Sequence, residues 1–386
     1  MSQYGAALDG YVWGKKRIVM IGPSPNSHGG IASVVSSWKN VGLFERWPIT
    51  YLETQVEGSK IGKLRVGLSA FCRFLQLLTS KRVACVHIHV ARRRSFWRKT
   101  IFALAAFASR CPVLLHLHSG GFARFYHREC NHLQKRVVRF VLDHAAQLVV
   151  LSKGWHEILR PISTNSNITV VANFLEPSVH APIREERDKD TILFLGLLNK
   201  DKGFYDLLES MPVLCREFPR LVLVCGGKGE HGQITARIKQ LQIEQYVKLA
   251  GWLSGDAKDR WLSRASIFVL PSYVENMPMG ILEAMRSGMP IVSTKVGCIP
   301  DIIEHGREGL LVDHGDTAAL QTAIRRLLLN DDERRIMGRA ARRRIDLELA
   351  PQVVVPILDT LYSKYLARSG QQAGMPHPHD EEVRCV

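Results

Sequence analysis

The sequence predicts an α/β fold made of two parallel-sheet units of similar size facing a shared cleft. Three observations predict it. Short β-branched apolar segments alternate with stretches of helical period. That alternation lapses once, between Glu176 and Asp190, and then restarts. The segments that read as ligand loops follow strands, where open α/β sheets bind their ligands.

In the first unit the strands are read at Arg17–Gly22, Val83–Val90, Pro112–His118, Gln147–Ser152 and Ile168–Phe174. They are nearly continuous apolar runs, as strands covered on both faces must be. Residues 61, 64, 68, 71, 75 and 78 are Ile, Leu, Leu, Phe, Leu and Leu at 3-4 spacing, which predicts an amphipathic helix over about 60–79. Core packing is the simplest use of that stripe. The stretch 179–190 contains proline and a charge run and is read as a linker, which makes residues 1–178 the first domain. The second domain, 191–350, has strands at Thr191–Gly196, Leu221–Cys225, Val247–Gly251, Ile267–Pro271 and Pro290–Thr294. A closing helix near 352–369 is a candidate to return to the first domain, and 371–386 reads as a disordered tail.

Composition narrows the function classes. The 386 residues are 46% hydrophobic and 23% charged, enough to bury a large core. No run of about 18 apolar residues occurs, so no bilayer-spanning helix is expected. The eight cysteines are scattered without any C-x-x-C, and reduced thiols in a cytoplasmic protein are the economical reading. The net charge of +16 is one-sided. Residues 1–180 hold 24 basic and 8 acidic side chains, whereas 181–386 hold 28 of each. No carboxylate lies between Glu57 and Glu129, where 14 Lys and Arg fall. Nucleic acid, an anionic membrane surface and an anionic substrate are the usual partners of such a face.

The most informative segment is Pro271-Ser-Tyr-Val-Glu275-Asn-Met-Pro-Met279-Gly280-Ile-Leu-Glu283. It follows a strand and opens a helix, whose free N–H groups and dipole suit an anion at Met279 and Gly280. Glu275 and Glu283 do not suit phosphate; they suit hydroxyls, because a carboxylate accepts two hydrogen bonds from a diol. Ordinary capping with a solvated glutamate is the alternative.

Glu275 and Glu283, with seven residues between them, resemble the E-x7-E motif of glycosyltransferase family 4, retaining enzymes of the GT-B fold with two Rossmann-like domains. The run ENMPMGILEAMRSGMPIVSTKVGCIPDII is similar to members that work on bacterial exopolysaccharide and capsule. The likeness covers about 17–350 and is strongest over 190–313. It implies that Glu275 contacts the donor sugar and Glu283 the ribose of a UDP- or GDP-sugar. Lys202 matches the family lysine that holds the donor diphosphate, in Phe194-Leu-Gly-Leu197-Leu-Asn-Lys-Asp-Lys202-Gly203. Leu197 stands where the family has an arginine, so Lys200 or a cation of the other domain must compensate. The resemblance also places Gly29 and Gly30 across the cleft from the donor, Gly227 near the nucleoside, and the backbone at Trp252 beside the base. Trp252 itself is more simply read as a half-buried core aromatic than as stacking on the base. His118, at the end of its strand, falls where similar enzymes place a histidine against the donor sugar or the reacting groups.

Two histidines at i, i+2 (His116, His118) could bind metal, but no third ligand is recognisable. Asp188-Lys-Asp190 mimics a D-x-D metal motif but precedes a strand, and is read as a solvated charge run. No metal and no cofactor are therefore expected. The family's acceptor is often a lipid-linked saccharide bound by the first domain. The basic face then fits a peripheral position on the inner, anionic face of the cell membrane, without nucleic acid. A GT-B-shaped nucleotide-sugar epimerase and a basic nucleic-acid-binding protein are the competing readings. The first needs extra acid/base carboxylates, and the second leaves the second-domain motifs unused.

Overall fold

The computed structural model describes residues 16–27, 29–56, 58–176 and 187–368. It contains two six-stranded parallel sheets, each covered by helices. In the first, β1 (Arg17–Gly22), β2 (Ile49–Glu53), β3 (Val83–Val90), β4 (Val113–Leu117), β5 (Gln147–Val150) and β6 (Ile168–Val170) run in the order β2-β1-β3-β4-β5-β6. In the second, β7 (Asp188–Leu195), β8 (Val222–Gly226), β9 (Val247–Leu249), β10 (Ala265–Leu270), β11 (Ile291–Thr294) and β12 (Gly309–Val312) run in the order β12-β11-β10-β7-β8-β9. All pairings are parallel, so each sheet has one edge that carries every strand's carboxyl end. β1, β3 and β4 are buried over almost their whole length, which explains their unbroken apolar runs.

Four sequence expectations change. Two edge strands, 49–53 and 309–312, add to those expected; the first is only partly buried, so its apolar pattern is weak, and the second is a buried run of only four residues. β7 begins at Asp188, so Asp188-Lys-Asp190 belongs to a strand rather than a linker; Asp188 pairs with Arg264 and Asp190 with Arg220, which accounts for both carboxylates. Residues 177–186 of the linker and the tail 371–386 lie outside the described residues. The stripe on the Lys60–Thr79 helix is not the packed face. Of its six residues only Leu78 is buried, while Ile61, Leu64 and Leu68 are 67, 72 and 62% exposed; the buried positions are Ala70, Phe74 and Leu78, four residues apart. The helix packs at its C-terminal half only.

The closing helix, Pro351–Arg368, returns to the first domain. Leu358, Tyr362 and Leu366 are fully buried with Ile18, Met20, Trp38 and Trp47 in one core cluster. Asp359 Oδ1 accepts from Trp47 Nε1 at 2.6 Å, and its other oxygen pairs with Arg46 at 2.5 Å. The chain therefore ends its described course on the domain in which it began. Among the described residues no helix is long and apolar enough to cross a membrane.

Candidate functional site

The loop after β10 carries Glu275, and hydrogen bonds to a neighbouring turn set its position. Tyr273 and Val274 donate their backbone N–H groups to Asp201 O at 2.9 and 3.3 Å. Asp201 lies in the short turn Lys200–Lys202, which Asn199 caps by accepting from Lys202 N at 3.1 Å. This pinning brings Lys202 Nζ to 2.5 Å from Glu275 Oε1, and Ser272 Oγ donates to the same oxygen at 3.0 Å. Glu275 is 7% exposed, so its carboxylate is a buried charge met by one ammonium and one hydroxyl. Pro278 is the residue before the Met279–Arg286 helix, and Glu283 lies within that helix. Glu283 Oε1 is 2.7 Å from Lys258 Nζ of the Gly255–Arg264 helix. Each glutamate of the motif thus has its own lysine. Lys258 carries no signal in the sequence, because its partner lies on another helix.

The first domain closes over this loop. A Cβ on Gly120 would lie 1.8 Å from Glu275 O, so only glycine permits the approach. Asn276 Nδ2 donates to Leu117 O at 3.3 Å, and Trp155 Nε1 donates to Asn276 Oδ1 at 2.9 Å. His118 sits in sequence between Leu117 and Gly120, so the end of β4 and the Glu275 loop meet. Arg92 Nη2 lies 3.3 Å from Asp201 Oδ2, which puts a first-domain cation beside the Lys202 turn. Arg92 belongs to the carboxylate-free basic window but enters the cleft, and its neighbour Arg93 pairs with Glu129 at 2.6 Å.

His118 belongs to a cluster. His89 Nδ1 and His118 Nε2 are 2.8 Å apart, His87 Nε2 and His116 Nδ1 are 3.2 Å apart, and His87 Nδ1 is 2.8 Å from Tyr362 Oη. Burial holds all four imidazoles below the usual histidine range: His87 is pushed down to about 3, and the mutual repulsion of neighbouring histidines adds to burial at His89 and His116. His118 is therefore a neutral imidazole, oriented by His89.

The remaining candidates occupy the same sheet edges. Gly29 and Gly30, after β1, open the Gly30–Asn40 helix and are exposed. Met279 and Gly280 form the first residues of their helix. Gly227 is buried, and a Cβ there would lie 1.7 Å from Gly196 O, so the contact between two loops already requires glycine. Trp252 is 40% exposed, with Lys228 Nζ 5.9 Å from its ring, and so is not a core aromatic. Leu197 is 47% exposed and lines a cavity of 490 Å³ with Lys200, Tyr205, Lys228 and Glu230.

Two family models match the chain over most of its length. Residues 39–173 match a glycosyl transferase 4-like domain, and 177–344 match glycosyl transferases group 1. The chain is a glycosyltransferase of the family 4 type. The glycosyltransferase is 26% identical to 2-deoxystreptamine N-acetyl-D-glucosaminyltransferase of Niallia circulans, over 72% of this chain and 75% of that one. It is 28% identical to the amylovoran biosynthesis glycosyltransferase AmsK of Erwinia amylovora, a match that spans about half of each chain (52% of both). Its fold is similar to that of Anabaena HepE in complex with UDP and glucose, with a TM-score of 0.69 at 17% identity, over 90% of this chain and all of that one. The two-domain GT-B architecture read from the sequence is thus the observed one.

Proposed function

We propose that this glycosyltransferase moves a hexosyl group, with retention, from a UDP- or GDP-sugar to a lipid-linked saccharide in polysaccharide assembly, working at an anionic membrane surface. The carrying observation is the paired arrangement Lys202–Glu275 and Lys258–Glu283 at the carboxyl edge of the second sheet, closed over by β4 of the first. Lys202 is the cation that a donor diphosphate meets, and Glu275 then turns to the sugar hydroxyls. Glu283 takes the ribose diol. Met279 and Gly280 offer backbone N–H groups to the phosphates, and Gly29 and Gly30 face them from the first domain. With Lys202 and Arg92 supplying positive charge, departure of the nucleoside diphosphate is stabilised electrostatically and needs no metal ion on the diphosphate. Neutral His118 offers its second ring nitrogen to a sugar hydroxyl. HepE binds UDP and glucose in the same fold, and AmsK is named for polysaccharide synthesis. Both support this reading.

The membrane element rests on the helices that cover one face of the first sheet. Ile61, Leu64, Leu68, Ile101, Leu104, Leu133 and Phe140 are exposed there, and Lys63, Arg65, Arg73, Arg136 and Arg139 are exposed beside them. At about 1 kcal/mol per engaged cation, a handful of these gives salt-sensitive binding to anionic lipid, with the apolar side chains entering the headgroup region.

Two measurements test the proposal. Thermal-shift titration with UDP and GDP, followed by assay of their sugars with membrane lipid extract, is expected to give stabilisation by one nucleotide and transfer to lipid. Stabilisation by neither overturns the donor assignment. In flotation assays, vesicles with anionic lipid are expected to carry the protein, and L64E together with L68E to cut that fraction severalfold. Equal binding of the double variant would refute the membrane face.

A further inference from the structure

The histidine cluster of the first domain holds more than the orientation of His118. His87 and His89 stand two apart on β3, on one face, and His89 is in register with His116 on β4. The sequence shows two i, i+2 histidine pairs with nothing to join them; the pairing of β3 with β4 makes them one group. His87, His89 and His116 are each at most 1% exposed, and one ring nitrogen from each lies within 4.8 Å of the others. Trp38 walls the group off, its ring centroid 5.2–5.6 Å from all three imidazoles.

We propose that His87, His89 and His116 form a binding site for one divalent transition-metal ion of the zinc class. Three features carry this. First, His87 Nε2 and His116 Nδ1 are 3.2 Å apart, close to the roughly 3.3 Å edge that tetrahedral bonds of about 2.0–2.1 Å imply. Second, two of the three rings have their outer nitrogen already engaged, His87 Nδ1 with Tyr362 Oη and His89 Nδ1 with His118 Nε2. That is how metal-binding imidazoles are held in one tautomer, leaving Nε2 as a bare lone pair. Third, His89 Nε2 is buried with no hydrogen-bond partner among the described residues, and it faces the pair formed by His87 Nε2 and His116 Nδ1. A buried polar atom left unpaired is unfavourable, and a metal ion satisfies it. Three imidazoles without a carboxylate select zinc, nickel or copper over magnesium or calcium. The fourth position is left to water. The ion ties β3 to β4 and, through Tyr362, to the closing helix. Its role is structural.

The test uses the full chain without a polyhistidine tag. Metal analysis after exposure to Zn²⁺ and desalting is expected to find about one equivalent, and Co²⁺ to give the visible bands of a tetrahedral site. His89→Gln and His116→Gln are expected to lose both, with circular dichroism showing that they remain folded, while His132→Gln, at an exposed position, keeps both. Should the variants fail to fold, ¹⁵N-histidine-labelled wild type decides: Zn²⁺ must move the ring resonances of His87, His89 and His116. Binding below about a tenth of an equivalent, equal binding by the folded variants, or shifts confined to exposed histidines would each overturn the site. A buried water on the unpaired His89 nitrogen would give the first of these results.

Discussion

Glu275 and Glu283 were both legible from spacing, yet neither acts alone. Each is held by a lysine, and only one of those lysines, Lys202, stood out in the sequence. Glu283→Ala removes the group assigned to the ribose and releases Lys258. With charge-assisted hydrogen bonds worth about 1.5–3 kcal/mol, the loss in kcat/KM is expected to be about 10²-fold, mostly as weaker donor binding. Steady-state kinetics with varied donor check it; unchanged kcat/KM with a folded protein would remove Glu283 from the site. A second residue-level expectation concerns the thiols. Burial pushes Cys111 and Cys215 up to about 12 and Cys298 up to about 11, while Cys72 is exposed. At pH 8 the buried thiols hold almost no thiolate, so iodoacetamide should label Cys72 well before them in a peptide map. The sign for stability follows. These thiols ionise near 9 when unfolded but not when folded, so their contribution is intact below about pH 9 and is lost as pH rises beyond it.

At the scale of elements, helical period alone could not say which face of the Lys60–Thr79 helix is inside. An apolar stripe reads the same whether it meets a core or a lipid surface, and here only Leu78 of the stripe is buried while Leu64 and Leu68 face outward and Phe74, off the stripe, packs inside. The closing helix shows a second limit. Its apolar residues are visible in the sequence, but its docking partners are distant in the chain, 275 residues for His87–Tyr362 and 312 for the Trp47–Asp359 hydrogen bond. Leu358 is fully buried in that seam. Leu358→Ala is expected to cost about 2–5 kcal/mol, read as a lower denaturation midpoint for the first domain. A change under about 0.5 kcal/mol would mean that the helix is not docked in solution.

At the scale of the whole molecule, the proposed function requires the two domains to meet. Gly120 lies so near the Glu275 backbone that a Cβ there would clash, and Trp155, Leu117 and Asn276 reinforce the contact. A methyl group at Gly120 would hold the cleft open. Gly120→Ala is expected to enlarge the radius of gyration in solution scattering and to lower transfer at least tenfold, while each domain keeps its secondary structure. Unaltered scattering and activity would show that this contact is not part of the working state.

The sequence by itself determined the doubled α/β architecture, the family, the place of the donor loops and the one-sided charge. Those are local properties: strand and helix period, residue spacing within one loop, and composition. Only the tertiary structure decided that Lys258 serves Glu283, that Arg92 enters the cleft beside Lys202, that the stripe of the Lys60–Thr79 helix is mostly exposed, and that four histidines at two neighbouring strands form one cluster. Each of these depends on which strands pair and how helices and loops dock across the fold, a choice made by the packing of the whole chain and invisible to any window of sequence.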